Sequence, residues 1–177
     1  MFMAEGLDTG DMLLRTETEI LLEETAGELF DRLAPMGADL LVKTLDELEK
    51  GSLHPEKQKD EESCYAPQLS KETAVLDWSK PADCIYNKIR GMNPWPVAHT
   101  FYKGQMLKIY SSAVSGRKEG VSGEIFQEKG RLYVCCGDGT LLEVLELQCQ
   151  GKKRMQAGDF LRGHSFEPGE RFELSPQ

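Results

Sequence analysis

The sequence has 177 residues, enough for one full domain and part of a second. Its hydrophobic fraction of 40% is ordinary for a globular protein, and neither a signal peptide nor an apolar run long enough for a membrane helix is recognisable, so we expect a cytoplasmic protein without a membrane segment. The net charge of −9 is uneven, since residues 1–70 carry −11 and residues 71–177 carry +2, which leaves an anionic partner possible for the C-terminal part.

The cysteines and histidines form no recognisable chemical pattern. There are five cysteines, an odd number, and none are spaced as CxxC. The vicinal pair Cys135–Cys136 lies in a strand-like stretch, and the three histidines have no ligand spacing. We therefore expect reduced thiols and no metal site.

The N-terminal segment predicts two strands, residues 1–3 and 12–20, joined by the turn GLDTGD. Thr25 and Glu28 have the spacing of a capping box, which predicts the start of a helix. Pro35 is expected to end that helix, because the residue before a proline is disfavoured in helical conformation.

A second helix is predicted over residues 38–50 and should stop at Gly51. Its apolar face is predicted to bury four leucines: Leu40, Leu41, Leu45 and Leu48. Residues 51–70 are polar with two prolines and read as a linker, and a composition change near Lys71 marks a domain boundary.

The C-terminal part predicts a helix over residues 81–91, followed by NPWP, whose Trp95 we interpret as a wedge between helix and barrel. A short last helix is expected over residues 157–162. Between them lie five alternating segments that indicate a small antiparallel barrel or sandwich: 97–103, 106–114, 121–127, 131–136 and 140–148.

The turn GLDTGD carries Asp8 and is, on spacing alone, a polar turn between strands. It lacks the spaced oxygen ligands of a calcium loop. Asp-Thr-Gly also occurs at aspartic protease sites, but only seven residues precede this aspartate and helices follow it, which disfavours that interpretation.

Basic residues are the second chemical signal. Lys152, Lys153 and Arg154 are consecutive in a loop between the last strand and the last helix. Such a group is either solvated surface or a phosphate-binding patch on a rigid barrel. Further cations and aromatic residues of the same domain are candidates for backbone contacts and base stacking, although core packing competes for the rings: Lys71, Lys88, Arg90, Lys103, Lys108, Trp95, Phe101, Tyr102 and Tyr110.

Several motifs along almost the whole chain together resemble those of the methionyl-tRNA formyltransferase family. Each is weak alone, but their order and spacing are specific. They are MFMAEGLDTGDML (1–13), YAPQLSKE (65–72), LDWSKPA (76–82), IRGMNPWP (89–96), GDG (137–139), GKKRM (151–155) and PGERF (168–172).

The resemblance implies an α+β protein of three parts. Residues 1–50 are the incomplete C-terminal end of a Rossmann-like formyltransferase catalytic domain, with strands and two helices. Residues 51–70 are a linker. Residues 71–177 are a complete OB-like antiparallel β-barrel, with flanking helices, that binds tRNA.

It also implies transfer of a formyl group from 10-formyltetrahydrofolate to the amino group of methionyl initiator tRNA, by a monomer in translation initiation. Asp8 matches the catalytic aspartate of an Asn/His/Asp set, whose other two members, with the folate-contacting SLLP segment, are expected upstream of Met1. The tRNA-binding candidates are Lys71, Arg90, Lys108, Lys152, Lys153 and Arg154.

This 177-residue chain is therefore expected to be inactive alone. Two alternatives stay open at this point. One is a stand-alone tRNA-binding barrel without catalysis, and the other is a fragment of a formyltransferase that acts on a sugar-nucleotide amine.

Overall fold

The computed structural model describes residues 1–175 and divides into two compact units, Met1–Gln68 and Leu69–Gln177. The first unit is built around one helix and the second around an antiparallel sheet. The α+β class expected from the sequence is confirmed.

The helix of the first unit, α1 (Ala26–Glu49), is a single helix of 24 residues. Its capping box is confirmed, because the Glu28 amide donates to Thr25 Oγ1 at 3.3 Å and the Thr25 amide donates to Glu28 Oε2 at 2.8 Å. The prediction that Pro35 separates two helices is wrong. Proline removes one backbone hydrogen bond from the ladder, and the remaining turns carry the helix across it.

The apolar side of α1 is not covered. Within the described α1, no residue is buried, and Leu41, Leu45 and Leu48 are exposed, contrary to the predicted burial. The expected stop is confirmed, since Gly51 follows the helix with a left-handed φ of +67°. The helix therefore receives little tertiary packing from the rest of this unit.

The two strands predicted before α1 are also wrong. Residues 1–3 and 12–20 are irregular, with one antiparallel bridge between Met12 and Glu56. Arg32 of α1 holds this segment instead, donating from Nε to Glu24 Oε1 at 2.9 Å and from Nη2 to the Glu19 carbonyl at 2.6 Å. A strand needs a continuous partner ladder, and here side-chain contacts take its place.

The second unit contains two helices and six strands. A one-turn 3₁₀ helix, Glu72–Ala74, precedes them, and another, Asp60–Glu62, lies in the first unit. The elements are α2 (Ala82–Gly91), β1 (His99–Tyr102), β2 (Gln105–Lys118), β3 (Ile125–Glu128), β4 (Arg131–Cys135), β5 (Thr140–Cys149), β6 (Met155–Gln156) and α3 (Ala157–Leu161).

The strands form one antiparallel sheet in the order β1-β2-β5-β4-β3, with β6 paired to β5. The C-terminal segment closes the two edges. Glu173 bridges Phe101 of β1, and Arg171 bridges Glu124 beside β3. The predicted barrel is confirmed, with β2 running past residue 114 to Lys118 through bulges and the two-residue β6 added.

The core of this unit lies between the inner face of the sheet and helix α2. Leu132, Leu142 and Val144 are fully buried, and Ile85 and Ile89 face them from α2. Trp78 is 3% exposed and donates its indole Nε1–H to Thr100 Oγ1 at 3.0 Å.

The interpretation of Trp95 as a wedge is wrong. Trp95 is 57% exposed, whereas the following Pro96 and Val97 are buried. The prolines on either side restrict the backbone of NPWP, but they do not determine which side chain faces the core.

The GDG and SKPA motifs meet at the start of α2. A Cβ at Gly137 would lie 1.8 Å from the Ser79 carbonyl oxygen, so only glycine fits this approach. The Gly137 amide donates to the Lys80 carbonyl at 2.8 Å. Asp138 Oδ1 accepts from the amides of Ala82 at 3.4 Å and Thr140 at 3.2 Å, and thereby caps the helix from a distant turn.

We expect amide hydrogen exchange to be much faster in α1 than in β4 and β5, because the hydrogen bonds of α1 are not shielded by buried side chains. Exchange followed by mass spectrometry on the whole chain measures both regions at once, so the barrel strands serve as the internal reference. Equal protection of α1 and β5 would contradict this prediction.

Candidate functional site

The turn that carries Asp8 is held by hydrogen bonds to its backbone carbonyls. The Gln58 side chain donates Nε2–H to the carbonyl oxygens of Asp8 at 2.8 Å and Gly10 at 2.7 Å. A Cβ at Gly10 would lie 1.8 Å from the Phe2 carbonyl oxygen, which requires glycine there. Asp8 adopts a left-handed φ of +54°, a conformation that aspartate tolerates better than most residues.

The Asp8 side chain itself is exposed. An exposed carboxylate can accept a hydrogen bond or orient a neighbouring imidazole, but alone it neither polarises a carbonyl nor positions an amine. The surrounding residues 1–9 are exposed as well, so they do not form an enclosure that fits a folate.

Four of the six predicted tRNA-binding residues come together on one face of the barrel. Lys108 of β2 lies opposite Gln148 of β5. The Gln148 side chain donates Nε2–H to the Lys152 carbonyl at 2.8 Å and so ties strand β5 to the turn that follows it. This surface, formed by Lys108, Tyr110, Gln148, Lys152, Lys153 and Arg154, is called the basic face below.

Arg154 is anchored in the basic face. Its guanidinium lies 4.2 Å from the centre of the Tyr110 ring and also pairs with Glu146, which raises the pKa of Arg154. The Tyr110 hydroxyl donates to Gln148 Oε1 at 2.8 Å. Because Glu146 offsets the charge of Arg154, the exposed Lys152 and Lys153 carry most of the positive potential.

The turn that presents these lysines has a simple local cause. Gly151 takes a left-handed φ of +71°, and the Lys152 amide donates to the Cys149 carbonyl at 3.0 Å. The chain then re-enters the sheet as β6, which pairs with β5. Two flanking strands therefore hold the cations in place.

The other predicted tRNA-binding residues lie on other elements. Lys71 is exposed just before the one-turn helix Glu72–Ala74. Arg90 is on α2, where its Nε–H donates to Asn87 Oδ1 at 2.8 Å. Whether these two act with the basic face stays a prediction.

Two further candidate cations are engaged within the protein. Lys88 donates to the Val75 carbonyl at 2.6 Å, and burial lowers its pKa. Lys103 lies 2.7 Å from Glu170 Oε1. These contacts argue against a main role for either lysine in phosphate binding.

The sequence-based reasoning missed Gln148 and Glu146, which shape the basic face. Both lie on β5, where outward residues alternate with buried ones. That alternation is the only sequence signal for them, and it does not show which cation they would contact.

Tyr102, Lys103 and Glu170 form a clasp that holds the C-terminal segment to the β1–β2 turn. The Tyr102 hydroxyl donates to Glu170 Oε2 at 2.6 Å, and the Lys103 ammonium approaches Oε1 of the same carboxylate. These two partners hold the pKa of Glu170 at about 2. The clasp lies next to the bridge between Glu173 and Phe101 that closes the barrel.

Other kinds of site have little support in the described part of the chain. No three histidine, cysteine, aspartate or glutamate side chains among residues 1–175 are placed to hold a metal ion. None of the helices described there is long and apolar enough to cross a membrane. Cys135 and Cys136 are buried, and desolvation raises the pKa of Cys136 to about 12, so this thiol is poorly suited to act as a nucleophile.

Solved structures with a similar fold include an N-formyltransferase. An N-formyltransferase from Helicobacter canadensis, in complex with folinic acid and dTDP-3-aminofucose, matches with a TM-score of 0.63 and 19% identity over 80% of this chain and 52% of that one. HypX from Aquifex aeolicus matches with a TM-score of 0.64 and 17% identity over 93% of this chain and 31% of that one. These likenesses define the fold as that of formyltransferases.

Family models place the chain more closely. The model "Formyl transferase, C-terminal domain" matches residues 68–165, and the model "Formyl transferase" matches residues 1–45. The chain belongs to the formyl transferase family.

Its curated relatives are named methionyl-tRNA formyltransferase. That of Citrifermentans bemidjiense is 47% identical over 96% of this chain and 53% of its own length, and that of Geotalea uraniireducens is 48% identical over 96% and 54%. The resemblance inferred from the motifs is confirmed. The chain spans about half the length of these relatives.

We expect acid to weaken the clasp in a defined pH window. Because the pKa of Glu170 is lowered from 4.5 to about 2 on folding, its contribution to stability is present above about pH 4.5 and is lost as the pH falls towards 2. Denaturant unfolding of the wild type and Glu170→Gln between pH 2 and 7 measures this contribution to the free energy of unfolding. The variant should be less stable at pH 7, and its difference from the wild type in free energy of unfolding should disappear towards pH 2. A difference that does not change with pH would contradict the stabilising role of ionised Glu170.

Proposed function

We propose that this chain is the C-terminal portion of an enzyme that transfers a formyl group from 10-formyltetrahydrofolate to the amino group of methionyl initiator tRNA in the cytoplasm. Residues 71–177 act as the tRNA-binding domain, residues 1–50 contribute the end of the catalytic domain, and residues 51–70 link them. The observation that carries this proposal is the basic face, held rigid by β2, β5 and β6.

Phosphate binding needs cations on a surface that does not have to be reorganised. Lys152 and Lys153 meet this requirement, because both are exposed and the turn that bears them is hydrogen-bonded to Cys149 and Gln148. Arg154 contributes less free charge, but it holds Tyr110 at the same surface. Lys108 extends the surface along β2, while Lys71 and Arg90 are proposed as outlying contacts.

Asp8 is proposed as the catalytic carboxylate. It would orient and charge-stabilise a histidine and help to remove the proton from the attacking amine. The braced turn supports this role, because a catalytic group has to be held still. The asparagine and histidine of the family set are not matched within residues 1–177.

The acceptor is proposed to be tRNA rather than a sugar nucleotide. Relatives named methionyl-tRNA formyltransferase are 47–48% identical to this chain, whereas the sugar-acting neighbour at 19% identity shows the fold alone. A small acceptor would also have no need of the basic face. The protein is proposed to act as a monomer and without a metal.

The 177-residue chain alone is expected to show no formyl transfer, since it supplies one of the three catalytic groups. The measurement is formation of formyl-methionyl-tRNA from 10-formyltetrahydrofolate and methionyl initiator tRNA. A relative assayed at full length, such as that of Citrifermentans bemidjiense, is the positive control. Turnover by the 177-residue chain above the uncatalysed rate would refute the expected inactivity.

Binding of initiator tRNA is expected to depend on Lys152 and Lys153. The double variant Lys152→Ala/Lys153→Ala should weaken binding and reduce the slope of log affinity against log salt by about 0.7 to 0.9 for each phosphate that is no longer neutralised. Filter binding or fluorescence anisotropy at several salt concentrations measures both quantities.

A matched control removes two cations from the opposite end of the barrel. Lys118 ends β2 opposite Thr140 and is exposed, and Lys80 lies beside the Gly137 turn. Lys80→Ala/Lys118→Ala changes the net charge equally but should leave the salt slope close to that of the wild type. If the two double variants lose the same affinity, the effect is general charge and the basic face is not the binding site.

A further inference from the structure

The barrel contains a cavity that phosphate binding does not explain. Its volume is about 200 Å³, and it lies where the β1–β2 turn, α3 and the C-terminal segment meet. Most of its lining is aromatic or apolar, including Tyr102, Met106, Phe160, His164, Phe166 and Phe172. An interior of this composition suits a flat ring better than an aliphatic chain or an ion.

The rings around the cavity are held in fixed orientations. Tyr102 and Phe166 meet edge to face with centroids 5.0 Å apart, and Phe166 meets Phe172 at an interplanar angle of 88°. Phe160 is stacked on His164 at 4.2 Å, with Phe160 buried and His164 exposed at the mouth. The walls are therefore preorganised, which lowers the entropy cost of binding a planar group.

The rim carries both donors and acceptors. Lys103 supplies an ammonium donor, and the exposed Gln105 adds an amide with both a donor and an acceptor. The edge of a nucleobase likewise carries donors and acceptors side by side. An apolar interior with a rim of this kind matches a heteroaromatic ring that is polar only at its edge.

The cavity is directly adjacent to the basic face. Cys149 lines the cavity, and its carbonyl accepts the Lys152 amide at 3.0 Å. Met106 also lines it, and its carbonyl accepts the Gln150 amide at 3.0 Å from the same turn. The turn that bears Lys152 is therefore hydrogen-bonded directly to two residues of the cavity wall.

We infer that this cavity takes one unstacked nucleobase of an RNA whose backbone lies on the basic face. The inference rests on the proposed tRNA binding and adds a base contact to it. A cavity of about 150 Å³ can hold a benzene molecule, so one of about 200 Å³ accommodates a single ring system and little more. It is smaller than the roughly 300–1,000 Å³ of sites that enclose whole ligands, which favours a base attached to a backbone held outside.

The test compares two single-stranded RNAs with the same number of phosphates. One is abasic throughout, and the other carries a single adenine at its centre. The whole 177-residue chain is expected to bind the adenine-bearing RNA about 5- to 150-fold more tightly, the range measured for stacking of one base on aromatic side chains. Equal affinities would overturn the inference.

Two variants locate the effect. Phe166→Trp places a larger side chain in the cavity and should abolish the preference for the adenine-bearing RNA while leaving the affinity for abasic RNA unchanged. His164→Ala removes the exposed ring at the mouth and should reduce the preference without filling the cavity. Thermal unfolding shows which of Phe166→Trp and His164→Ala are folded, and an unchanged preference in a folded variant would overturn the inference.

The same experiment separates this inference from the proposed function. Lys152→Ala/Lys153→Ala should weaken binding of both RNAs and leave their affinity ratio unchanged. If that loss is seen but the wild-type ratio is one, tRNA binding stands and the base site fails. If neither RNA binds, both proposals fail. Free adenosine that binds as tightly as the adenine-bearing RNA would identify a small-molecule site and also overturn the inference.

Discussion

Closure of the barrel by the C-terminal segment is the constraint on which the second unit depends. The edge strands β1 and β3 of an open sheet would present unpaired backbone groups. The bridges from Glu173 and Arg171 pair some of these groups. Phe172, between these bridges, is buried in the core. The clasp on Glu170 holds the same segment, so one short stretch of chain links edge pairing, core packing and a surface ion pair.

The same closure shapes the cavity, and the basic face adjoins that cavity. The cavity exists because Phe166 and Phe172 of the C-terminal segment face Tyr102 across the β1–β2 turn. The basic face begins at Lys108, the residue that follows Leu107 on β2. Leu107 points inward and lines the cavity, whereas Lys108 points outward. Adjacent residues of one strand therefore line the cavity and the charged surface, so a change that loosens β2 should affect both.

Local signals predicted the second unit well and the first unit poorly. Alternating residues located the strands, and a capping box located the start of α1, because both patterns act over a few residues. Failures arose where distant contacts decide the outcome. Strand formation at residues 12–20 requires a partner strand, and burial of Leu41 requires a surface that covers it. Trp78 rather than Trp95 lies in the core, where its indole is hydrogen-bonded to Thr100, 22 residues further along the chain. The cation cluster was visible, but its anchoring by Glu146 and Gln148 was not.

Asp8 and the basic face make different demands on the rest of a protein. A phosphate surface needs only fixed positive charge, and two antiparallel ladders and a glycine turn already provide that for Lys152 and Lys153. A catalytic carboxylate acts through partners placed within hydrogen-bond distance, and Asp8 lies on an exposed turn whose bracing contacts are all to backbone oxygens. For this reason, the proposed RNA binding is expected of these 177 residues in isolation, whereas the proposed formyl transfer is not.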